Sequence, residues 1–247
     1  FENSTLMGRA FEFRKERKFK RWEKMAVQFT RLGKEIVMAV KDGGSNPDAN
    51  SRLRTAMQNA KAVNMPKHTV EAAIKRATNK DESNYEEIVY EGYAPHGIAI
   101  LIETATDNTN RTVANVRSYF NKTNGTLGKT GSLDFIFSRK SVFCFDPGDL
   151  EIDELELELI DVGLEDLYVE VDETGKDIGV IHTSFEDFGQ MQKALEEKSI
   201  PVISAKLERI AQSTSGVTEE QAADVFKLID KLEEDDDVQA VYHNMAE

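Results

Sequence analysis

The sequence predicts an α+β protein built from an N-terminal three-helix domain followed by two α/β domains. Apolar residues recur every three or four positions before residue 80, as on one face of a helix. After residue 85 they alternate or form short runs, as in strands. The chain of 247 residues also exceeds the usual size of a single domain. These three observations indicate separate cores of different secondary structure.

The N-terminal domain is predicted to contain three helices within residues 8–82. The first helix carries an apolar stripe over residues 14–40, and Gly43-Gly44 ends it. The segment SNPDAN supplies turn and capping residues for the second helix. Pro66 suits the first turn of the third helix, because that turn leaves its backbone N–H groups unpaired and proline has none. The polar run NKDESN follows as a linker.

The second domain is predicted from a change of apolar period after residue 85. Its first elements are strands near residues 88–93 and 98–104, a helix over residues 107–122 and a strand of alternating Leu133, Phe135 and Phe137 with a basic end at Arg139-Lys140. The loop GTLGKTG precedes the last of these strands. A tail helix over residues 218–232 and a strand over residues 238–242 would complete the same sheet.

The third domain shows the strand–helix–strand–strand–helix–strand order of a ferredoxin-like unit. Because a later strand completes the earlier sheet, we predict that this third domain is inserted in the second. The predicted limits are residues 141–209 for the inserted domain and residues 83–140 plus 210–247 for the second domain. Two sequential α+β domains are the alternative.

Charge is unevenly distributed along the chain, which carries a net charge of -14. Residues 1–80 contain 18 Lys and Arg against 8 Asp and Glu, whereas residues 141–247 contain 7 against 29. The N-terminal end therefore attracts polyanions and the C-terminal part repels them. We expect a nucleic-acid partner for the helical domain. The acidic part either limits unspecific adhesion to nucleic acid or binds a basic protein partner.

The basic residues of the helical domain form the predicted nucleic-acid interface, extended by two cations of the second domain. Seven of them crowd the start of the first helix, where positive charge is unfavourable unless an anion compensates it. A frayed helix end, or a contact with the acidic domain, is the alternative explanation of that cluster. The residues predicted to bind nucleic acid are Arg14, Lys15, Arg17, Lys18, Lys20, Arg21, Lys24, Arg31, Lys34, Arg52, Arg54, Lys61, Lys67, Arg111 and Lys129. Lys41, Lys75 and Arg76 extend the same patch.

Two of these residues have alternative roles. Arg111 lies in TDNTNRT, whose polar residues suit a helix cap, and it either pairs with a nearby carboxylate or contacts a surface partner. Lys129 lies in GKT, but this string lacks the earlier glycine of a phosphate-binding loop, since Thr123 stands there. We expect a flexible loop that either touches RNA or a protein, or simply connects a helix to a strand.

No constellation of residues predicts catalysis. The four histidines lie in different elements without metal-ligand spacing, and Cys144 is the only cysteine. We therefore expect no enzyme activity, no metal and no cofactor. No run of eighteen apolar residues exists that could span a bilayer. Together with the single cysteine, this predicts a cytoplasmic protein without a membrane partner. We also expect a monomer.

Two long stretches of the chain resemble the YebC/PmpR family. The first runs from FTRLGKEIVMAVKDGGSNPDANSRLR to NMPKHTVEAAIKRAT, and the second from YEGYAPHGIAILIETATDNTNRT to GTLGKTGSLDFIFSRK. The resemblance implies a three-domain α+β protein with a helical N-terminal domain. Bacterial members are generally described as probable transcriptional regulators that bind DNA.

The same resemblance carries a second functional description. The related mitochondrial protein is a translational activator of cytochrome c oxidase, and bacterial relatives are linked to ribosomes stalled on proline-rich segments. We therefore expect DNA-binding transcription regulation. The alternative is translation regulation on the ribosome, through contacts with rRNA or tRNA.

Overall fold

A computed structural model describes residues 25–79, 84–172 and 175–246 of the chain. Its helical domain consists of α1 (residues 25–43), α2 (Ser51–Ala62) and α3 (Lys67–Ala77). Gly44 ends α1 with φ of 86°, a backbone conformation that glycine adopts without steric cost. The helices share a core of small and branched side chains, including Ile36, Leu53, Ala56, Val70 and Ala73.

Asn50 fixes the turn between α1 and α2. Its side-chain oxygen accepts from the Leu53 amide and caps α2, as the sequence predicts for this segment. The amide nitrogen of the same side chain donates to the carbonyls of Ala39 and Gly44, at 2.6 and 2.8 Å. One buried side chain thus joins the end of one helix to the start of the next.

The second domain is a four-stranded antiparallel sheet covered by two helices. Its elements are β1 (Glu86–Tyr93), β2 (Ala99–Thr106), α4 (Thr109–Lys122), β3 (Thr126–Leu127), α7 (Glu219–Glu233) and β8 (Val238–His243). The strand order is β3-β1-β2-β8. Helices α4 and α7 bury Phe120 and Leu228 against Ile100 and Ile102 on one face of this sheet.

The inserted domain lies between β3 and α7 in the chain. Its elements are β4 (Phe137–Phe145), α5 (Ile152–Leu159), β5 (Leu164–Val171), β6 (Asp177–Ser184), α6 (Phe188–Glu197) and β7 (Val202–Ala211). The antiparallel order β5-β6-β4-β7 is that of a ferredoxin-like unit. Helices α5 and α6 pack on one face, against Phe143, Phe145 and Ile181. The predicted fold class, including the insertion, is confirmed.

The strand predicted from Leu133 to its basic end at Arg139-Lys140 is wrong in its first half. Residues 130–136 form turns, whereas residues 137–140 belong to β4. Leu133, Ile136 and Phe137 are buried, whereas the Phe135 side chain is 72% exposed. The alternation of large apolar residues thus arises from a folded turn rather than from a pleated strand.

Strands β4 and β7 also join the second domain to the inserted domain. Arg209 on β7 binds Glu103 on β2, with 3.0 Å between its Nε and the carboxylate. Phe137 and Ala211 pack beside Leu101 on the second face of the first sheet. Because β4 begins at Phe137 and β7 ends at Ala211, both strands cross the predicted domain limits, which stay a prediction.

Candidate nucleic-acid interface

Seven residues of the predicted interface lie outside the part of the chain that the structure describes. These are Arg14, Lys15, Arg17, Lys18, Lys20, Arg21 and Lys24. Of the other eight residues, six lie in the helical domain and fall into three groups, which differ in what surrounds each cation. Arg111 and Lys129 lie in the second domain.

The first group, the inner cations Arg31 and Lys34, faces the second domain from α1. Arg31 donates from Nε to the Val238 carbonyl at 2.9 Å and from Nη2 to the Glu233 carbonyl at 3.0 Å. Burial lowers the pKa of Arg31, and the charge of Glu233 partly offsets this effect. These contacts place Arg31 at the C-terminal end of α7, where backbone carbonyls favour a cation.

Lys34 is more deeply enclosed, with 11% of its side chain exposed. Its ammonium donates to the carbonyls of Ala105 and Asp236 and to the Asp237 carboxylate, at 2.7 to 2.9 Å. The three hydrogens of the ammonium group therefore have three oxygen partners. Both inner cations attach the helical domain to the second domain.

Asp237 is the centre of this attachment. Its side chain is 6% exposed and accepts from Arg111 at 2.7 Å and from Thr112 at 2.9 Å, besides Lys34. Burial alone would raise the pKa of Asp237, but the hydrogen bonds from Arg111, Lys34 and Thr112 outweigh it and lower the pKa to about 2. A single carboxylate thus binds cations from two domains.

The motif TDNTNRT, residues 106–112, supplies the partners of Asp237 in the second domain. Asn108 caps α4 by accepting from the Arg111 amide, as its position in the sequence predicts. Thr106 and Thr112 share a hydrogen bond of 2.7 Å beside Asp237. Arg111 pairs with Asp107 as well as Asp237. Of the two roles expected for Arg111, a carboxylate pair or a contact with a surface partner, the structure shows the carboxylate pair.

The second group, Arg52 and Arg54 on α2, forms exposed ion pairs. Arg52 bridges Asp42 of the helical domain and Glu87 of β1, at 2.5 and 2.7 Å. Arg54 approaches Glu196 of α6 at 3.8 Å. Ion pairs between exposed side chains contribute little stability, so these guanidinium groups are able to exchange partners.

The third group, the outward cations, consists of Lys61, Lys67, Lys75 and Arg76 on α2 and α3. All four residues are exposed. Lys67, whose side chain is 90% exposed, lies 3.6 Å from Glu71. Within the described ranges, no carboxylate lies at ion-pair distance from Lys61, Lys75 or Arg76. Lys61 and Lys67 were predicted to bind nucleic acid, and Lys75 and Arg76 were expected to extend the patch.

Lys129 is also exposed, but its loop is tied to the sheet rather than free. The buried Glu91 carboxylate accepts from the amides of Gly131 and Leu133, at 2.8 and 2.7 Å, and from the Ser132 hydroxyl at 3.2 Å. The Gly128 amide donates to the Glu91 carbonyl at 2.7 Å. Lys129 therefore lies at the exposed tip of a loop whose two sides are hydrogen-bonded to β1. Glu91 is a functional residue that the charge pattern did not reveal, although a charged side chain inside a predicted strand is a signal that could have identified it.

Residues 25–79, 84–172 and 175–246 contain no group of three or more His, Cys, Asp or Glu that could hold a metal ion. No helix within these ranges is long and apolar enough to cross a membrane. His96 pairs with Asp224 at 3.2 Å, and Cys144 is half-buried.

These features define a class of three-domain α+β proteins, with a cationic helical domain attached to a sheet that contains an inserted ferredoxin-like domain. Residues 9–80 match the family model described as the TACO1/YebC protein N-terminal domain. Residues 85–245 match the model described as the TACO1/YebC second and third domain. The chain belongs to the TACO1/YebC family.

Relatives of similar length carry a common name. A protein of Flavobacterium johnsoniae is 61% identical over 98% of this chain and 100% of its own length. One from Anaeromyxobacter dehalogenans is 54% identical over 97% and 100%. Both are named probable transcriptional regulatory proteins.

A solved structure resembles the whole arrangement. The crystal structure of a conserved hypothetical protein from Aquifex aeolicus has a TM-score of 0.75 and 38% sequence identity to this chain. The match covers 90% of each chain.

Proposed function

We propose that this chain regulates transcription by binding the phosphate backbone of DNA through its helical domain. In this proposal it acts in the cytoplasm as a monomer without enzyme activity. The observation that carries the proposal is the group of outward cations, which are exposed and, among the described residues, form a single ion pair, Lys67 with Glu71. They lie in the domain with the excess of positive charge. Unpaired exposed cations release counterions from DNA when they neutralise phosphates.

The contacts of the inner cations reduce the number of residues proposed to bind DNA. Arg31 and Lys34 already bind carbonyls and Asp237, so phosphate binding would require them to leave these partners. Arg111, whose side chain is about half exposed, is paired with Asp107 and Asp237. The outward cations and the basic segment 14–24 therefore remain as the proposed contact surface. Phosphate contacts of this kind position a protein on DNA without reading its sequence.

The names of the relatives support a regulator, and the acidic remainder of the chain is compatible with one. A surplus of carboxylates beyond residue 140 repels nucleic acid from that part of the surface. Binding would then be confined to the helical domain, in one orientation.

The test is a titration of duplex DNA against the full chain at several salt concentrations. Reversing Arg17, Lys18 and Arg21 to Glu should weaken binding, and each lost phosphate contact should lower the log–log salt slope by about one. Reversing Lys61, Lys67 and Lys75 to Glu should have the same kind of effect. Unchanged affinity and slope in both triple variants would refute the proposed surface.

A matched control separates the surface from net charge. Lys122, Lys193 and Lys231 are exposed and lie outside the helical domain. Their reversal to Glu changes the net charge by the same amount. It should leave the salt slope close to that of the unmodified chain.

The tied loop at Lys129 favours a second candidate, a translation regulator on the ribosome. A cation on a fixed loop, followed by an exposed Phe135, suits single-stranded or structured RNA, whose unstacked bases bind aromatic side chains. Competition between duplex DNA and ribosomes at about physiological salt distinguishes the two candidates. Preference for a particular duplex supports transcription. Preference for ribosomes, lost when Lys129 is changed to Glu, supports translation.

A further inference from the structure

The two edges of the inserted sheet differ in how their backbone groups are satisfied. At the β7 edge, Asn59 of α2 donates to the Ala205 carbonyl at 2.8 Å and accepts from the Ala205 amide at 3.0 Å. Gln58 donates to the Val202 carbonyl. Side-chain amides of the helical domain thus take the place of a neighbouring strand. This edge is closed to a further strand.

The β5 edge has no such cover. Within the described residues β5 pairs with β6 alone, and six of its eight residues are exposed. Every other N–H and C=O of an edge strand points away from its neighbour, so β5 offers a row of unpaired groups over residues 164–171. Such a row is a template for another strand.

The side chains of β5 divide between the two faces of the sheet. Leu167 lies opposite Ile181 and belongs to the core under the helices, so Val169 and Val171 share that face. Val171 is 64% exposed. The opposite face carries Asp166, Tyr168 and Glu170. One side of the edge is therefore apolar and the other acidic.

The charge around β5 selects between possible partners. Residues 164–184 contain six Asp and Glu and one Lys. Within the described ranges, neither Asp166 nor Glu170 has a cation at ion-pair distance. Partial burial, with further contributions from Glu170 and Asp166, raises the pKa of the Tyr168 phenol. A second copy of β5 would bring like charges opposite one another, which destabilises strand pairs.

We propose that β5 binds an extended basic segment of a partner protein, which adds to the inserted sheet as a further strand. Lysine or arginine side chains of the segment would face Asp166, Tyr168 and Glu170, where carboxylates and an aromatic ring attract cations. Apolar side chains of the segment would face Val169 and Val171. The chemistry recognised is thus an alternation of basic and apolar residues, bound mainly through the backbone.

The first test uses a fluorescent peptide as long as β5, in which lysine alternates with valine, and measures its binding to the full chain by anisotropy. A peptide of the same composition with all lysines grouped at one end should bind about tenfold more weakly, because its side chains cannot match the two faces. N-methylation of every second residue should abolish binding in one of the two possible registers and preserve it in the other. Equal binding of the alternating and grouped peptides would overturn the proposal.

A pair of double variants tests the surface itself. Asp166→Lys with Glu170→Lys should weaken binding of the alternating peptide about tenfold, because two opposite-charge pairs become like-charge pairs. Glu186→Lys with Asp230→Lys makes the same change in net charge at exposed positions outside β5 and should leave binding within about twofold. An equal loss in both double variants would show attraction by net charge alone and overturn the proposal.

Sedimentation of the chain without peptide tests the competing occupant. A dimer that dissociates when Val169 is changed to Lys would assign the edge to a second copy and also overturn the proposal. These measurements involve no nucleic acid, so their outcome is independent of the proposed DNA binding.

Discussion

The inner and outward cations of the helical domain carry the same charge but occupy opposite environments. Lys34 is enclosed by three oxygens, whereas Lys61 and Lys75 are exposed and have no carboxylate at ion-pair distance in the part of the chain that the structure describes. An enclosed cation has lost its hydration and therefore depends on its hydrogen-bond partners, whereas an exposed cation is stabilised by water. The difference teaches that the cations of a basic domain have two uses. Some attach the domain to the rest of the chain, and others stay exposed, where a polyanion can bind them.

Removing the shared anion should have the largest effect. Asp237→Ala leaves Lys34 enclosed without its carboxylate and should lower the free energy of unfolding by roughly 3–5 kcal/mol, measured by denaturant titration. Asp236→Ala is the control, because the Asp236 carbonyl binds Lys34 but its side chain is exposed. If the two variants unfolded alike, the inner cations would not depend on Asp237.

Acid should weaken the same attachment. The folded-state pKa of Asp237, about 2, lies below its usual value of 3.8. The resulting stabilisation is therefore fully present above about pH 4 and is lost as the pH falls towards 2, by roughly 2 kcal/mol. Unfolding of the unmodified chain and of Asp237→Asn, compared between pH 5 and pH 2, should show the difference shrinking with acid. A difference independent of pH would contradict the assignment.

Releasing the loop at Lys129 should have a smaller effect. Glu91→Gln replaces one acceptor oxygen by an NH2 group, which cannot accept from the loop amides. We expect a loss of about 1–2 kcal/mol in the free energy of unfolding and faster hydrogen exchange at Gly131 and Leu133. Glu86→Gln, at an exposed position of the same strand, should change neither quantity. Slow exchange at both amides in Glu91→Gln would show that the carboxylate is dispensable.

The outward cations should contribute least to stability. Changing Lys61 and Lys75 together to Gln should alter the free energy of unfolding by less than about 0.5 kcal/mol, because both side chains are solvated. The salt slope of DNA binding should nevertheless fall. Lys34→Gln, the same substitution at an inner cation, should cost clearly more stability. Equal costs at the two sites would remove the distinction between them.

The spacing of apolar residues predicted most of the fold, because most helices and strands bury one face along their whole length. Helix α7 and strand β8 lie within a residue of their predicted bounds, and the pairing of β8 with β2 confirms the insertion. The turn at residues 130–136 was missed because its apolar residues happen to alternate. The hydrogen bonds that the Glu91 carboxylate accepts from this turn join residues about forty positions apart, beyond the reach of local patterns.

The candidate interface was less predictable than the fold. The sequence shows how many cations the helical domain contains, but their partners lie elsewhere in the chain. Lys34 and Asp237 are separated by 203 positions, and Arg111 and Asp237 by 126. The motif TDNTNRT suggests that Arg111 pairs with a nearby carboxylate. No residue close to Lys34 in the sequence indicates that Lys34 pairs with a carboxylate too.

The position of β8 also has a consequence for how the chain folds during synthesis. Strand β8 pairs with β2, and residues 107–237 separate the two strands. A ribosome releases the N-terminal residues first, so the helical domain and the inserted domain can form local contacts while the first sheet still lacks its edge. Asp237, which precedes β8, emerges with it. Attachment of the helical domain through Asp237 therefore follows the synthesis of the inserted domain and of α7.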